Sequence, residues 1–456
     1  MDEINIHSDI PERGTATALV ERLQNEGIEL IRLLYSDLHG IARSKDIPVE
    51  MLGELLHDGT AFCVAVVDMG LAGNPTNAPG LAPERGYPDM LARPVLSSLA
   101  ALPWESGTAW CLADLESEHG PLAISPRHFL KQVMARYAEL NLTPVAGPEL
   151  EFFLLKLDEA GRPSRYTDHP SMVYTAGQRS DPQGIVREML KAARGIGLRA
   201  TAANHEFFRS QFEINMLHGE ALDAADRAFF LKTLVKEIAE NHGLLATFMG
   251  KPFNDDGGSG FHIHLSINNA EQVNVFATEQ PREDVSLLAR QFIAGVLEHA
   301  PALMAFLAPT INAYKRLAPD SLVPTAANWG YDNRTSFIRV PAERGKATRL
   351  EIRTADASAN PYLIIAGCLL AGLDGIQRQL IPPAPVSGDV SVGQIVGTQL
   401  PYTLEASLAA LQADERFCEL AGPALISAFC TMKQIEVERY HAFVTDWETN
   451  EYLWHL

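Results

Sequence analysis

Cysteine is scarce in this 456-residue chain, and no two cysteines form a CxxC pair. The five that occur are widely spaced along the sequence: Cys63, Cys111, Cys368, Cys418 and Cys430. An odd number at such spacing argues against a disulfide framework, and the missing CxxC pairs argue against a thiolate metal site. We therefore expect all five thiols to be reduced.

Basic residues are also in deficit. Lysine and arginine number 37 against 57 aspartates and glutamates, which gives a net charge of −20. An acidic surface repels polyphosphates at long range, so nucleic acid and anionic membranes are excluded as general partners. A cationic ligand such as an amine suits this charge better.

Long hydrophobic runs are absent. The longest apolar stretch, residues 361–373, is interrupted by glycine and ends at Asp374, well short of the ~20 residues that span a bilayer. The N-terminal sequence MDEINIHSDIPER carries acids where a signal peptide has a basic region. We expect a cytoplasmic protein that does not contact the membrane.

Proline and glycine punctuation suggests two domains. Short alternating elements up to about residue 114 indicate a small α+β unit, and the residues rich in proline and glycine, 70–88 and 94–103, predict a long irregular surface loop. We predict a small N-terminal domain at 1–120 and a large domain at 121–456, which ends in a helical tail.

The second block alternates helical and strand periodicities without an internal repeat. The predicted helices are 126–140, 182–196, 224–242 and one long helix at 285–307, and the predicted strands are 143–157, two within 199–215, 244–249 and 261–268.

The segment GPELEFFL, residues 147–154, brings two carboxylates together. Side chains alternate along a strand, so Glu149, Glu151 and Phe153 share one face. Like charges at this spacing repel, a cost that is offset where a cation lies between them or where one carboxyl is protonated. The alternative is a pair of solvated glutamates on an edge strand.

Further carboxylates and imidazoles follow at strand spacing. Glu206 and Glu213 flank a break between two predicted strands, and His262 and His264 share one face of another. A lone histidine is more often a hydrogen-bonded core residue than a ligand. Oxygen ligands in excess over imidazole, however, favour Mg²⁺ or Mn²⁺ over Zn²⁺.

A basic stretch lies between residues 311 and 353. Eight lysines and arginines stand against four acids there, a local charge of 8 − 4 = +4 in a chain of net −20. Guanidinium groups beside metal-binding carboxylates are what phosphoryl transfer requires, although a solvated basic face is the simpler alternative. The chain contains no GxxxxGK[ST], so a P-loop is excluded.

Five ordered motifs resemble the glutamine synthetase family. They are GPELEFFL at 147–154, KPFNDDGGSGFHIHLS at 251–266, NAYKRLAP at 312–319, NRTSFIRVP at 333–341 and RLEIRTADASANPYL at 349–363. The resemblance implies an α+β fold: a small β-grasp-like N-terminal domain and a catalytic domain with a curved antiparallel β-sheet or half-barrel flanked by helices. It also implies a homo-oligomer, a dodecamer of stacked hexameric rings whose active sites are shared between neighbouring subunits.

The resemblance further implies site residues for ATP, glutamate and two or more Mg²⁺ or Mn²⁺ ions. One ion would be held by Glu151, Glu206 and Glu213, and the other by Glu149, His262 and Glu351. ATP would contact Arg334, Arg339, Lys346, Arg349, Ser266 and His264, with Arg334 and Arg339 acting in catalysis. Glutamate would contact Arg316, Arg353, Gly258 and His262.

Two departures from the family pattern concern the amine acceptor. Where glutamine synthetases have an FDGSS-like segment that binds ammonium, the best match here is residues 62–66, with Cys63 and Val66 at the key positions. The flap glutamate expected six residues beyond Arg316 is replaced by Leu322. An apolar pocket disfavours bare ammonium and favours an amine with carbons to bury, at ~0.8 kcal/mol per methylene.

The sequence therefore predicts an ATP-dependent ligase that joins the γ-carboxylate of glutamate to an organic amine. A monoamine and a polyamine both stay open, since Asp68 and Asp320 could serve a distal amino group or be solvated turn residues. A true glutamine synthetase and a non-catalytic family member are the alternatives.

A third departure lies near the glutamate site. The family's GPG, which precedes a glutamine that matches Gln211, is replaced by Phe208, Arg209 and Ser210, and the asparagine of its NGSG becomes Gly257. An acid other than plain glutamate is therefore a further alternative. The tail lacks the family's adenylylation segment, so control by that modification is not expected.

Overall fold

The computed structural model describes residues 13–76, 78, 86–169, 172–278, 284–317, 323–391 and 396–456. Strands that lie between residues 30 and 121 form the first of two large sheets. The first sheet has six strands: β1 Leu30–Ser36, β2 Ala42–Pro48, β3 Thr60–Cys63, β4 Asp89–Ala101, β5 Thr108–Ser117 and β6 Gly120–Pro121. Its order is β2-β1-β5-β4-β3 with β6 on β5, and β1 runs parallel to β5. Helices α1 (Arg13–Asn25) and α2 (Leu52–Asp58) accompany it.

Strand β4 corrects one prediction. Residues 94–103 were expected to be an irregular loop, but β4 continues to Ala101 and pairs with β5 across a register shift between Val95 and Ala100. Its pairing with β3 ends at Ala92. From Pro94 onward β4 has a partner on one side only, so a residue without an N–H group is tolerated there.

The second sheet has ten strands and curls into a half-barrel. They are β7 Leu142–Leu157, β8 Pro163–Arg165, β9 Ala200–His205, β10 Gln211–Met216, β11 Gly219–Glu220, β12 Leu245–Thr247, β13 Phe261–Asn269, β15 Trp329–Tyr331, β16 Ile338–Val340 and β17 Leu350–Ile352. The main order is β15-β16-β17-β13-β7-β10-β9, with β8, β11 and β12 also on β7. A separate pair joins β14 (Ala326–Ala327) to β18 (Thr398–Gln399).

Ten more helices flank this sheet and form the tail. They are α3 Pro126–Ala138, α4 Ile185–Gly195, α5 Ala221–Asn241, α6 Leu287–Glu298, α7 Ala300–Leu307, α8 Pro361–Gln377, α9 Leu404–Ala413, α10 Glu415–Ala421, α11 Pro423–His441 and α12 Asp446–Tyr452. The predicted α+β fold with a half-barrel sheet and flanking helices is confirmed. The division into two domains near residue 120 stays a prediction.

The single helix predicted at 285–307 is two helices. Helix α6 ends at Glu298, and α7 restarts at Ala300 with Pro301 in its first turn. Proline lacks the N–H group that a continuous helix needs and tends to clash with the preceding turn, so the chain breaks there. The imidazole of His299 at this junction is buried and is hydrogen-bonded to the carboxylates of Asp374 and Asp414.

Helix α8 accounts for the apolar run noted in the sequence. Its residues are buried along most of its length, and the side chain of Asn360 caps its N-terminus by accepting from the N–H group of Tyr362. A Cβ atom at Gly295 of α6 would lie 2.1 Å from the carbonyl oxygen of Ala371, so α6 and α8 approach each other closely where glycine permits it. Among the described residues, no helix is both long and apolar enough to cross a membrane.

Candidate active site

The register of the half-barrel sheet collects the predicted carboxylates around β7. Glu151 lies opposite Glu213 of β10, and Glu149 lies opposite His262 of β13. Glu351 of β17 lies opposite His264 of β13. Glu206 follows directly after β9, which pairs with β10. Strand alternation, as predicted, directs these side chains toward one face of the sheet.

Each histidine contacts a different glutamate of β7. His264 Nε2 lies 3.0 Å from Glu149 Oε1, and His262 Nε2 lies 3.3 Å from Glu151 Oε1. Donor atoms of Glu149, His264 and Glu351 all lie within 4.8 Å of one another. The predicted grouping placed His262 with Glu149 and Glu351, and which histidine is a ligand stays a prediction.

The glutamates on the β10 side of the cluster repel one another. Burial, together with the charges of Glu149, Glu151 and Glu206, raises the pKa of Glu213 to about 9. Burial and the charge of Glu151 raise the pKa of Glu206 to about 7. A buried group of like charges is stable when cations lie between the oxygens.

The donor set therefore fits divalent cations. His262 Nδ1 is buried and has no hydrogen-bond partner within the described part of the chain. Side-chain amides hold two of the carboxylates: Asn204 donates to Glu206 at 2.7 Å, and Asn215 donates to Glu213 at 2.9 Å. Oxygen-rich donors with one imidazole are those that Mg²⁺ and Mn²⁺ prefer.

Arginines from the basic stretch lie beside this cluster. Arg339 Nη1 donates to Glu351 Oε2 at 2.7 Å, and Arg353 donates to the other carboxylate oxygen of Glu351. Burial opposes the ionisation of Glu351, but Arg353, the two histidines and Arg339 outweigh it and lower the pKa of Glu351 to about 2. Arg349 Nε donates to His264 Nδ1 at 3.1 Å.

The other residues predicted to contact ATP are more open to solvent. Arg334 and Lys346 are exposed, and Ser266 of β13 is half-buried on the same strand face as both histidines. Arg334 holds Arg353 through its backbone, because its carbonyl oxygen accepts from Arg353 Nε at 2.9 Å. The basic stretch thus contains two arginines that contact Glu351, Arg339 and Arg353, and two exposed residues, Arg334 and Lys346.

Arg316 and Gly258 form the side predicted to bind the acid. Arg316 is buried and pairs with Asp356 at 3.2 Å, and its Nε atom has no partner in the described residues. A Cβ atom at Gly258 would lie 2.3 Å from the carbonyl oxygen of Gly250 and 2.4 Å from Arg316 Cγ. Only glycine fits this approach of the chain to Arg316.

The third departure from the family sequence pattern includes two changes that fit each other in space, at Phe208 and at Gly257. A Cβ atom at Gly257 would lie 2.0 Å from Cε2 of Phe208, so the ring of Phe208 fills the space that an asparagine side chain would need. Phe207 is 55% exposed, and Arg209 is half-buried. These residues alter the polarity of the wall beside Gly258.

Gln211 is a residue of the site that was not among the predicted site residues. Its Nε2 atom donates to Glu151 Oε2 at 3.0 Å and to the carbonyl oxygen of Gly258 at 3.1 Å. It therefore ties the carboxylate cluster to the acid side. Alternation along β10 places it on the face of Glu213 and Asn215, which is the signal that could have found it.

The residues predicted for the amine pocket belong to the first sheet. Cys63 ends β3 at the edge of that sheet, and Val66 follows in a short turn of helix; both are half-buried. Asp68 is not a solvated turn residue: it is 1% exposed and accepts from Thr76 Oγ1. Leu322 and Asp320 lie outside the described residues.

Two of the similar solved structures are a ligand-free and a nucleotide-bound form of one enzyme. A structure of GmaS (γ-glutamylmethylamide synthetase) without ligand matches with a TM-score of 0.85 and 34% identity, covering 95% of this chain and 99% of that one. A complex of GmaS with ADP matches with a TM-score of 0.86 and 33% identity over the same shares. The fold is that of a glutamine synthetase-like ligase.

Sequence comparisons agree. The model of the glutamine synthetase catalytic domain matches residues 123–452. The glutamine synthetase of Thermotoga maritima is 33% identical over 443 residues, covering 95% of this chain and 98% of that protein. The glutamate–isopropylamine ligase of a Pseudomonas species is 32% identical over 441 residues, covering 94% and 96%.

The chain belongs to the glutamine synthetase family. Members of this family use ATP and divalent metal ions, bind glutamate and an amine or ammonia, and are typically oligomeric.

Proposed function

We propose that this ligase joins the γ-carboxylate of glutamate to an organic amine in an ATP-dependent reaction. The observation that carries the proposal is the loss of both polar ammonium anchors, at Cys63 and Val66 and at Leu322, in a chain that keeps all six carboxylate and histidine ligands. The likeness to GmaS and to a glutamate–isopropylamine ligase supports the same conclusion.

The proposed ligand sets follow the family motifs. One cation is assigned to Glu151, Glu206 and Glu213, and a second to Glu149, His262 and Glu351. The crowding that raises the pKa of Glu213 supports this assignment. Bound Mg²⁺ or Mn²⁺ would neutralise the phosphoryl oxygens of ATP.

The basic residues are assigned to the two anionic substrates. Arg316 and Arg353, with Gly258 and His262, bind glutamate; Lys346, Arg349, Ser266 and His264 bind ATP. Arg334 and Arg339 act on the transferring phosphoryl group, where fixed guanidinium donors stabilise the charge that develops. In the free chain Arg339 is paired with Glu351, and Arg353 is paired with Glu351 and with the carbonyl oxygen of Arg334, so these two guanidinium groups are preorganised.

The reaction has two steps. A γ-carboxylate oxygen of glutamate attacks the γ-phosphorus of ATP, the bond to the bridging oxygen breaks, and ADP leaves. The amine nitrogen then attacks the acyl carbon of γ-glutamyl phosphate, the carbon–oxygen bond to phosphate breaks, and the nitrogen loses a proton. The product is a γ-glutamylamide.

Glutamine synthesis is the second candidate, because several of the similar relatives are named glutamine synthetase. Phosphate release from ATP with Mg²⁺ and glutamate separates the two, run against ammonium and a panel of alkyl, hydroxyalkyl, aromatic and poly-amines. We expect an organic amine to stimulate release beyond ammonium, with the γ-glutamylamide detected by mass spectrometry. A preference for ammonium would establish a glutamine synthetase. The absence of release with every amine would indicate another acid or a non-catalytic role.

Substitutions at Cys63 and Leu322 are expected to change the preference of the enzyme between ammonium and organic amines. Leu322→Glu combined with Cys63→Asp supplies an acid on the flap and another in the N-terminal segment, and ammonium gains the hydrogen bonds and charge that it lacks. We expect kcat/KM for ammonium, relative to the best organic amine, to rise at least about tenfold, which corresponds to ~1.4 kcal/mol. An unchanged ratio would show that acceptor choice lies elsewhere. Leu157→Glu, which alters an exposed leucine at the end of β7, is the control.

We further propose a homo-oligomer, namely the dodecamer of stacked hexameric rings. The C-terminal residues after α11 expose a cluster of large apolar side chains: Phe443 (67%), Val444, Trp447, Leu453 and Trp454 (85%). Exposed apolar patches of this kind mark protein–protein contacts.

Deleting residues 443–456 is therefore expected to lower the assembled mass, measured by light scattering after size-exclusion chromatography. The double variant Trp447→Gln, Trp454→Gln should act in the same direction. Ile381→Gln, which alters an apolar residue that is 71% exposed elsewhere, should leave the mass unchanged. An unaltered mass in both tail variants would remove the tail from the assembly contacts.

A further inference from the structure

A second cavity lies outside the carboxylate cluster and is lined by elements that are far apart in the sequence. Its walls come from the turn after β1 at residues 38–41, helix α5, the start of α8 and helix α11. The volume of this partly open cavity is about 210 Å³, room for roughly seven water molecules at about 30 Å³ each. A small molecule can therefore occupy it.

The lining is basic. Lys232, Lys236 and Lys433 all contribute to it together with His39, and no aspartate or glutamate is among its described lining residues. In a chain of net charge −20, three ammonium groups around one cavity are not explained by overall composition. Lys232 and Lys433 are 6% and 1% exposed, whereas Lys236 is open to solvent.

The charges of the two buried ammonium groups are only partly neutralised by their hydrogen-bond partners. Lys232 Nζ donates to the carbonyl oxygens of Ala357 and Ala359, both at 2.9 Å, and these are neutral acceptors. Lys433 Nζ has one carboxylate partner, Glu436 Oε2 at 2.9 Å. Burial lowers the pKa of Lys232 to about 7; the charge of Lys236 acts in the same direction, and the charge of Asp356 only partly opposes the shift.

His39 supplies a further unmatched donor. Lys433 Nζ lies 3.1 Å from His39 Nδ1, and an ammonium has no acceptor capacity, so Nδ1 accepts and the ring proton is on Nε2. His39 Nε2 is buried without a partner in the described residues. A buried N–H group left unpaired costs about 1–3 kcal/mol, which a bound acceptor would recover.

The start of α8 adds to the positive potential. Ser358 and Asn360, which precede the 17-residue helix, both line the cavity. The N-terminus of a helix carries a partial positive charge and favours anions. The lysines and the unpaired imidazole donor are independent of this effect and act in the same direction.

We propose that this cavity binds a small oxyanion with two negative charges, a dicarboxylate or phosphate. Its carboxylate or phosphate oxygens accept from Lys236, from the remaining N–H of Lys232 and from His39 Nε2. Apolar walls at Leu71, Phe248 and Phe429 restrict the ligand to a compact carbon skeleton between its charged ends.

The cavity is connected to the acid side of the active site. Lys232 holds the carbonyl oxygens of Ala357 and Ala359, and Asp356, directly before Ala357, pairs with Arg316. An anion that draws Lys232 away from these carbonyls changes the support of Arg316. The binding itself does not depend on which amine the enzyme accepts.

The test measures binding of succinate and of inorganic phosphate to the full-length protein by calorimetry and by thermal shift. Each titration is run with and without saturating glutamate, because glutamate fills the acid site but is itself a dicarboxylate that competes for the cavity; propionate and chloride serve as monoanion controls. We expect at least one dianion to bind and to raise Tm. Binding by succinate alone identifies a dicarboxylate, and binding by phosphate alone identifies phosphate.

Lys236→Met is expected to weaken that binding at least about tenfold, with Lys236→Arg restoring most of it. Lys236 is open to solvent on α5 and methionine is a good helix former, so the fold is retained; Lys236→Gln is the second variant. Lys191→Met, an exposed lysine of α4, should not change the affinity. Failure of both dianions to bind, or equal affinity in wild type and both uncharged Lys236 variants, would overturn the proposal.

Discussion

Glu151→Ala is expected to lower kcat by at least about 10³-fold. Glu151 stands at the centre of the cluster, opposite Glu213 and 3.3 Å from His262, and it is assigned as a metal ligand. A cation that stabilises transition-state charge is worth several kcal/mol. At 1.36 kcal/mol per tenfold, a loss of about 4 kcal/mol corresponds to about 10³ in rate. Phosphate release under saturating substrates measures it.

The companion variants separate charge from hydrogen bonding. Glu151 Oε2 accepts from the N–H group of Gly260 at 2.7 Å and from Gln211; the alanine variant leaves the N–H group of Gly260 unpaired, whereas Gln211 still donates to Gly258. Glu151→Gln keeps an acceptor and removes the charge, so it should lose a similar amount of activity while unfolding near the wild-type temperature. Glu159→Gln changes an exposed glutamate just beyond β7 and should be neutral. Full activity of the glutamine variant would refute the metal assignment.

Arg339→Gln is expected to lower kcat by about 10²–10³-fold with a smaller change in KM for glutamate. A preorganised donor to developing charge contributes that much when it acts only in the transition state. Arg339 is held by Glu351 at 2.7 Å and by Asp332 at 2.6 Å, so its guanidinium does not have to be ordered during the reaction. Steady-state kinetics with varied ATP and varied glutamate give the two constants separately.

The fold should survive this change. Glu351 keeps its second partner, Arg353, so removal of Arg339 does not leave a buried carboxylate without a counter-charge. Arg187→Gln, which alters an exposed arginine of α4, is the matched control. If kcat were unchanged and only KM rose, Arg339 would be a substrate-binding residue and its catalytic assignment would be wrong.

Periodicity alone was enough to predict the strand that organises the site. Alternation in residues 147–154 places Glu149 and Glu151 on one face, and the same period joins His262 to His264. Because side chains of a strand alternate strictly, these intra-strand relations are fixed by sequence spacing whatever the strand packs against. The five motifs likewise carry the family and the half-barrel expectation without any coordinates.

Relations between strands needed the structure. The register of β13 against β7 sets His262 opposite Glu149, yet the hydrogen bonds join His264 to Glu149 and His262 to Glu151. The continuation of β4 through Pro94 depended on where its pairing with β3 stops.

The sequence by itself determined which groups share a face, the family of the chain and the chemistry those groups support. Only the tertiary structure decided which charges pair, that Phe208 takes the space above Gly257, and that Lys232, Lys236 and Lys433 meet at one cavity. The physical reason is the distance along the chain over which each relation is set. Alternation and helical period are local properties of the backbone, whereas these contacts join segments up to about 200 residues apart in sequence, and their geometry is set by the packing of the whole domain.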